Sequence, residues 1–181
     1  SQFANTFAEC VEGANFFSKQ LTSTTNADEL FGPMNVKKYQ EEAIWEHNTE
    51  GALPTAHFAF LDEVYRSATN LLPTMLGVLN ERTFYNGTVA QDCPLLTAIG
   101  TTNFIPDDEE LEAFHDRWLI RVKVSPVDSP AARQRMIGSF DAHLMGATIT
   151  DEEGDEIERP TITLAQIQCL QDYVRKVEVP D

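Results

Sequence analysis

Apolar and polar positions along this chain follow helical spacing in some stretches and extended spacing in others. Near the N-terminus, apolar residues recur at three- and four-residue steps, which predicts an amphipathic helix over residues 1–16. Residues 22–28 are polar and predict a loop, and the FGP tripeptide at 31–33 predicts a turn. Residues 34–57 contain several helix breakers and predict a helical piece followed by a hairpin.

The strongest apolar run is HFAFL at 57–61, which predicts a strand covered on both faces. It ends abruptly in two acidic residues, Asp62 and Glu63. A helix is predicted next, with Asn70 as its N-cap and Pro73 in its first turn, where proline is tolerated. Its apolar stripe consists of Leu71, Leu72, Met75, Leu76 and Leu79.

Two more strands and a hairpin are predicted in the middle of the chain. The Asn86-Gly87 pair, flanked by strand-like residues, is the strongest hairpin signal. LLTAIGTT at 95–102 predicts a second buried strand, which ends at Asn103. WLIRVKV at 118–124 alternates apolar and polar residues and predicts a strand with one wetter face.

Helices are predicted between and after these strands. The acidic run DDEE at 107–110 suits a helix N-terminus, where negative charge offsets the helix dipole. A helix is predicted over 131–140, an acidic surface loop over 146–159, and a last helix from a Thr163 cap to about Lys176. Strands that alternate with helices indicate an α/β fold with a parallel sheet.

Composition and charge narrow the function classes. The chain has 181 residues, of which 42% are hydrophobic, so wholesale disorder is excluded. A formal net charge of −16 argues against general nucleic-acid binding, because phosphate affinity needs surplus cations. No apolar run reaches the ~20 residues of a membrane helix, and no secretory signal is recognised. Three cysteines without CxxC spacing indicate unpaired thiols, so we expect a cytoplasmic protein.

The Asp62-Glu63 pair stands where the predicted buried strand emerges. In open α/β sheets, ligands bind at the carboxyl ends of the strands. Asp62 is suited to hold a Mg²⁺ ion or its water, and Glu63 to orient or deprotonate an attacking water in phosphoryl transfer. Two alternatives stay open: a solvated pair that caps the next helix, and a metal-dependent hydrolase that uses both acids directly.

Two further polar residues extend this hypothesis. Asn103 lies beside the acids if the two buried strands are neighbours, whereas alone it is a turn former. Arg117 is either a cation presented to a neighbouring subunit's phosphate or an ion-pair partner of Asp116. The four histidines show no ligand spacing, so no zinc site is predicted.

Two long segments carry a family resemblance. HFAFLDEVYRSATNLLPTMLGVLNERTFYNG at 57–87 and LLTAIGTTNFIPDDEELEAFHDRWLIRVKV at 95–124 resemble MoxR-family AAA+ ATPases, closest to the RavA branch. ELFGP at 29–33 adds to the resemblance, which extends more weakly over most of the chain. The resemblance implies a P-loop NTPase-like (AAA+) parallel sheet flanked by helices and incomplete at its N-terminal end.

The resemblance implies a role for each matching residue. Asp62 and Glu63 match the Walker B acids, with Asp62 holding Mg²⁺ directly or through water. Asn103 matches sensor 1, and Arg117 matches the Asp-Arg arginine finger. Arg66 matches a basic position at the subunit interface.

The chain also departs from the family pattern. It contains no GxxxxGK[ST] loop, whose backbone amides and lysine hold nucleotide phosphates. By spacing, Ser1 falls on the last hydroxyl position of that motif, so it is a predicted cofactor-binding residue. We therefore expect the P-loop and the helical lid to lie outside this sequence. Tyr65 stands where many family members have Asn.

The resemblance divides the chain into two parts. Residues 1–126 are expected to form the AAA+ core without its P-loop. Within this core, 34–57 match the helix-2 insert and 83–93 match the hairpin before sensor 1. Residues 127–181 are expected to form a helical connector that leads towards the lid domain.

For the intact protein, the resemblance implies ATP hydrolysis with Mg²⁺, with ATP or ADP bound between the subunits of a hexameric ring. It also implies a chaperone-like role on partner proteins, including proteins with von Willebrand factor A domains, and no direct contact with nucleic acid. The 181-residue chain alone is expected to be inactive. The alternative is a catalytically inactive interaction module derived from an AAA+ ATPase.

Overall fold

A computed structural model describes residues 2–67, 69–105, 109–144 and 161–177. The chain forms two compact units, one of Ser1–Leu119 with Thr161–Asp181 and one of Ile120–Pro160. The helices are α1 (Gln2–Glu9), α2 (Ala27–Phe31), α3 (Val36–Glu42), α4 (Leu72–Leu76), α5 (Glu109–His115), α6 (Pro130–Leu144) and α7 (Leu164–Val174). The strands are β1 (Val11–Glu12), β2 (Phe16–Gln20), β3 (Phe58–Asp62), β4 (Thr83–Asn86), β5 (Val89–Asp92), β6 (Thr97–Gly100) and β7 (Ile162–Thr163).

The first unit is built on a three-stranded parallel sheet with the order β2-β3-β6. The FAFL residues of the HFAFL run, 58–61, form the buried part of β3, the middle strand, which ends at Asp62. Phe58 and Phe60 contact the ring of Phe7 on α1, with centroid distances of 5.3 and 5.9 Å. Ala59 and Leu61 belong to the main apolar core. The prediction of a strand covered on both faces is confirmed.

The predicted helix over 1–16 is wrong beyond Glu9. The chain leaves the helix and forms β1, which pairs in parallel with β7, and then β2, which pairs with β3. Gly13, with a φ of 77°, makes the turn between the two strands. The ring of Phe16 stacks on Phe58 at 5.1 Å, whereas Phe17 packs against the core. These tertiary contacts override the apolar spacing that suggested a helix.

In residues 34–57, all of which are described, the predicted helical piece is α3, but no hairpin follows it. The chain instead returns through an isolated antiparallel bridge between Met34 and His47. It then forms a short 3₁₀ turn at Leu53–Thr55, where Pro54 lacks the backbone N–H that a strand ladder needs.

The predicted single helix after the acidic pair is a series of short pieces. Two 3₁₀ turns, Val64–Arg66 and Thr69–Leu71, precede α4, and a π-helix at Gly77–Glu81 follows it. The N-cap position of α4 is Leu71 rather than the predicted Asn70, because Asn70 is already part of the 3₁₀ turn Thr69–Leu71. The predicted apolar stripe faces the core: Leu71, Leu72, Met75 and Leu79 are buried, and Leu76 is half-buried against them.

The hairpin is confirmed as β4 and β5, although its turn lies one residue later than predicted. Asn86 pairs with Val89, so Gly87, with a φ of 64°, is the first loop residue. The Asn86 side chain explains the shift, because its Oδ1 accepts from the His47 backbone N at 2.6 Å. Its Nδ2 donates to the His47 backbone O at 2.9 Å. These bonds hold Asn86 in extended geometry beside the segment after α3.

Of the two remaining strand predictions, one is too long and the other is wrong. Strand β6 covers only residues 97–100 of the predicted 95–102, and its residues are half-buried or exposed. Residues 118–124 form no strand, and Leu119 is 93% exposed. Alternating hydrophobicity makes a strand only where a neighbour supplies hydrogen bonds, and no described strand pairs with this segment.

The later helices agree with the sequence where they are described. Helix α5 includes the last two residues of the DDEE run, and the first two lie outside the described residues, as does the predicted loop over 146–159. Helix α6 covers the predicted 131–140. The side chain of Thr163 caps α7 and forms a capping box with Gln166. Among the described residues, the helices lack the length and apolar character of a membrane-spanning segment.

Gly32→Ala is expected to reduce the free energy of unfolding by at least about 3 kcal/mol. Gly32 has φ 94° and ψ 158°, and a Cβ there would collide with the carbonyl oxygen of Asn48. Gly13→Ala is the matched control, since Gly13 also has a positive φ but a Cβ on its backbone would meet no atom within 4 Å. That control should cost about 1–2 kcal/mol in denaturant titrations. Equal losses in the two variants would contradict the steric argument.

The Cys93 thiol is expected to resist alkylation in the folded protein. Burial in the core raises the pKa of Cys93 from an ordinary value of 9.0 to about 11, so the nucleophilic thiolate is scarce at pH 9. Because the folded-state pKa is raised, the stability from this group is complete below pH 9 and falls as pH rises towards 11. Iodoacetamide at pH 9 should modify the exposed Cys169 first, as read by peptide mass. Equal rates would contradict the prediction.

Candidate functional site

The carboxyl ends of the three parallel strands meet at one edge of the sheet. Strand β3 ends at Asp62, which lies in register with Gln20 at the end of β2. Thr101 directly follows β6. Parallel pairing brings the polar residues that follow each strand to the same edge, where ligands of open α/β sheets bind.

Asp62 is half-buried and is oriented by its neighbours. Its Oδ1 accepts hydrogen bonds from the Glu63 backbone N at 3.1 Å and from the hydroxyl of Thr101. Its Oδ2 accepts no hydrogen bond from the described residues. A fixed carboxylate with one open oxygen suits Mg²⁺, which takes one or two protein carboxylates and completes its shell with water and phosphate oxygens. Thr101 was missed from the sequence because the TT pair was assigned to the end of the predicted strand 95–102, whereas β6 ends at Gly100.

Glu63 adopts a left-handed backbone conformation, with φ 54° and ψ 47°. This conformation is uncommon for a residue other than glycine and marks a position that the surroundings hold in place. It ends β3 and turns the Glu63 side chain towards the segment after β6. There the Asn103 Nδ2 donates to the Glu63 Oε1 at 2.6 Å. The structure therefore brings together the two strand-end residues that the sequence singled out.

The second oxygen of Glu63 faces a cation. The carboxylate side chain is 12% exposed, and its Oε2 lies 3.3 Å from the Arg66 Nε. That oxygen is buried and accepts no hydrogen bond of good geometry from the described residues. A cavity of about 300 Å³ lies beside it, lined by Gln20, Leu21, Thr22, Ser23, Glu63 and Arg66. It offers room for several water molecules next to the carboxylate.

Arg117 lies apart from this cluster. It is the second residue after α5, is exposed, and its backbone N donates to the Phe114 carbonyl at 3.3 Å. Its guanidinium forms no hydrogen bond or ion pair with any residue in the described ranges, so the alternative of an ion pair with Asp116 is not observed. Ser1, the predicted hydroxyl ligand, lies outside the described residues.

His47 and His57 take part in local hydrogen bonds. His47 Nδ1 contacts the Gly32 carbonyl O at 2.6 Å, and His57 Nδ1 accepts from the Asn15 backbone N at 2.9 Å. Within the ranges that the structure describes, no three His, Cys, Asp or Glu side chains form a group that could hold a metal ion.

Two archaeal proteins are similar to this chain. The Methanocaldococcus jannaschii proteins MJ0812 and MJ0079, both described as uncharacterized, are each 33% identical over 166 residues, or 92% of the chain. The chain spans 44% of the first and 40% of the second, so it corresponds to less than half of either relative.

A solved structure shares the fold. The Cytophaga hutchinsonii protein described as a candidate ATPase has a TM-score of 0.66 and 17% identity, and the likeness covers 98% of this chain and 50% of that one. The likeness supports the predicted P-loop NTPase-like arrangement of a parallel sheet flanked by helices.

The family is shown by the sequence itself. The family model of the MoxR domain in the MoxR-vWA-beta-propeller ternary systems matches residues 1–172, nearly the whole chain. The predicted MoxR assignment is confirmed, and its RavA-like branch stays a prediction. The chain therefore belongs to the MoxR family and has an AAA+ fold, whose parallel sheet carries Asp62, Glu63 and Asn103 at one carboxyl edge.

Proposed function

We propose that the full-length protein hydrolyses ATP with Mg²⁺ and that this chain supplies the water-activating side of the site. The observation that carries the proposal is the 2.6 Å hydrogen bond between Asn103 and Glu63, with Asp62 fixed next to them. An acid for the metal, an acid for the water and an amide that fixes the second acid form a set of groups suited to phosphoryl transfer.

Each residue has a distinct role in this proposal. Asp62 would hold Mg²⁺, with Ser1 as a proposed further ligand, and a bound Mg²⁺ would supply positive charge against the nucleotide phosphates. Glu63 orients a water for attack on the γ-phosphorus and accepts its proton, while Asn103 fixes the Glu63 carboxylate. The new bond joins the water oxygen to phosphorus, the bond to the bridging oxygen breaks, and ADP and phosphate leave.

Arg117 acts on a neighbouring subunit in this proposal. Its exposed guanidinium has no partner among the described residues, so it is available to a nucleotide bound by the next copy of the chain. Such a head-to-tail arrangement forms a ring when its rotation closes, and we propose a hexamer. We further propose a chaperone-like role on proteins with a von Willebrand factor A domain, supported by the family's description in MoxR-vWA-beta-propeller systems.

Glu63→Gln is expected to lower kcat for ATP by at least ~100-fold, because an amide cannot accept the proton of the attacking water. Nucleotide affinity should stay within about twofold, since Gln keeps the shape of the side chain. Steady-state hydrolysis and binding of a fluorescent ATP analogue by the full-length protein test this. Glu50→Gln, at an exposed loop residue, is the matched control and should behave as wild type.

Hydrolysis that persists in Glu63→Gln would contradict the role of Glu63. A wild-type protein that binds no ATP analogue would instead favour the alternative function, an interaction module without catalysis. This alternative is motivated by the lack of a GxxxxGK[ST] motif in the chain.

Arg117→Ala is expected to be inactive alone and to regain activity when mixed with Glu63→Gln. In mixed rings, one variant supplies Glu63 and the other supplies Arg117 to the same interface. An equimolar random mixture should therefore reach about a quarter of wild-type activity. A mixture as inactive as its components would show that Arg117 does not act on the neighbouring subunit.

A further inference from the structure

The Tyr65 side chain lies between the turn that carries Glu63 and the segment that carries Arg117. It sits two residues after Glu63, in the 3₁₀ turn Val64–Arg66, and is 8% exposed. Its hydroxyl shares a hydrogen bond with the Nδ1 of His115, the last residue of α5. Because His115 stands two residues before Arg117, this bond links the turn that carries Glu63 to the segment that carries Arg117.

The Tyr65 ring adds contacts in both directions. It meets the Phe114 ring edge-on, with centroids 6.1 Å apart and an interplanar angle of 86°. It also lies 6.3 Å from the ring of Phe104, the residue after Asn103. The buried Tyr65 side chain, which extends from the turn after Glu63, thus contacts Phe104 next to Asn103. It also contacts Phe114 and His115, which precede Arg117.

The surroundings make this contact stiff at both ends. On one side, the Val64 backbone N donates to the Thr101 carbonyl at 3.0 Å, so the turn is tied to the end of β6. On the other side, Trp118 packs on Phe114 at 5.8 Å and leaves so little room that a Cβ at Gly100 would lie 2.8 Å from its ring. A displacement of the turn is therefore transmitted to the end of α5 rather than absorbed locally.

We propose that Tyr65 and His115 are positioning residues that couple the Glu63 turn to the Arg117 segment. This inference rests on the proposed function: Glu63 serves the nucleotide of its own subunit, whereas Arg117 serves the nucleotide of the next. Tyr65 and His115 thereby couple the position of Glu63 in one hydrolytic site to the position of Arg117 in the site of the next subunit. Neither residue touches the nucleotide, so their removal changes turnover rather than nucleotide binding.

Tyr65→Phe in the full-length protein is the test, since it removes the hydroxyl and keeps the buried ring. We expect kcat to fall by about threefold to tenfold, the effect of one lost hydrogen bond, with KM for ATP within about twofold. His115→Leu should lower kcat similarly. The double variant should be no worse than either single variant, because both remove the same interaction. His115→Asn, whose amide can take the place of Nδ1, should recover part of the loss.

Tyr173→Phe is the matched control, because Tyr173 is 70% exposed on α7 and should behave as wild type. Hydrogen exchange gives a readout that needs no hydrolysis. Tyr65→Phe should speed amide exchange in residues 101–104 and 112–118 together, and leave 58–62 unchanged. Additive losses of kcat in the double variant, or unchanged exchange in both segments, would overturn the coupling.

The two proposals can fail separately. If wild type does not hydrolyse ATP, the proposed function fails, and the exchange measurement alone decides whether Tyr65 couples the two segments. If wild type hydrolyses ATP and Tyr65→Phe matches it in kcat and in exchange, the positioning role fails and the proposed function stands.

Discussion

The site depends on the parallel pairing of β3 with strands on both of its sides. Apolar residues at four successive positions bury both faces of β3, and this fixes the register of the sheet. A shift by one residue would exchange the Phe58 and Ala59 faces, so the packing on α1 and on the core excludes it. Because the register is fixed, Asp62, Thr101 and Asn103 meet at one edge although they lie far apart in sequence.

Sequence reasoning succeeded where one local signal dominates. The HFAFL run, the Asn-Gly hairpin and the Thr163 cap each carry a strong short-range preference, and the structure contains all three elements. The proximity of Asn103 to Glu63 was predicted on the condition that the two strands are neighbours, and the parallel pairing of β3 with β6 meets that condition.

The errors arose where distant contacts decide the conformation. Phe16 and Phe17 have helical spacing with the residues before them, but they form part of strand β2 because they pair with β3. The contact of Tyr65 with His115 joins residues fifty positions apart, and no local pattern encodes it. The left-handed backbone of Glu63 is equally invisible in sequence, because only the surrounding packing makes a non-glycine residue adopt it.

The bonds between Asn86 and His47 have a mechanical consequence. An isolated two-stranded hairpin is only marginally stable. Here the hairpin turn is hydrogen-bonded to the segment that follows α3. The side chains of Gln91 and Thr49 add further hydrogen bonds of 3.2–3.3 Å between the same two segments. The hairpin and the segment after α3 are therefore held together as one unit. A force applied to the hairpin turn would be distributed over the connections of both segments to the sheet.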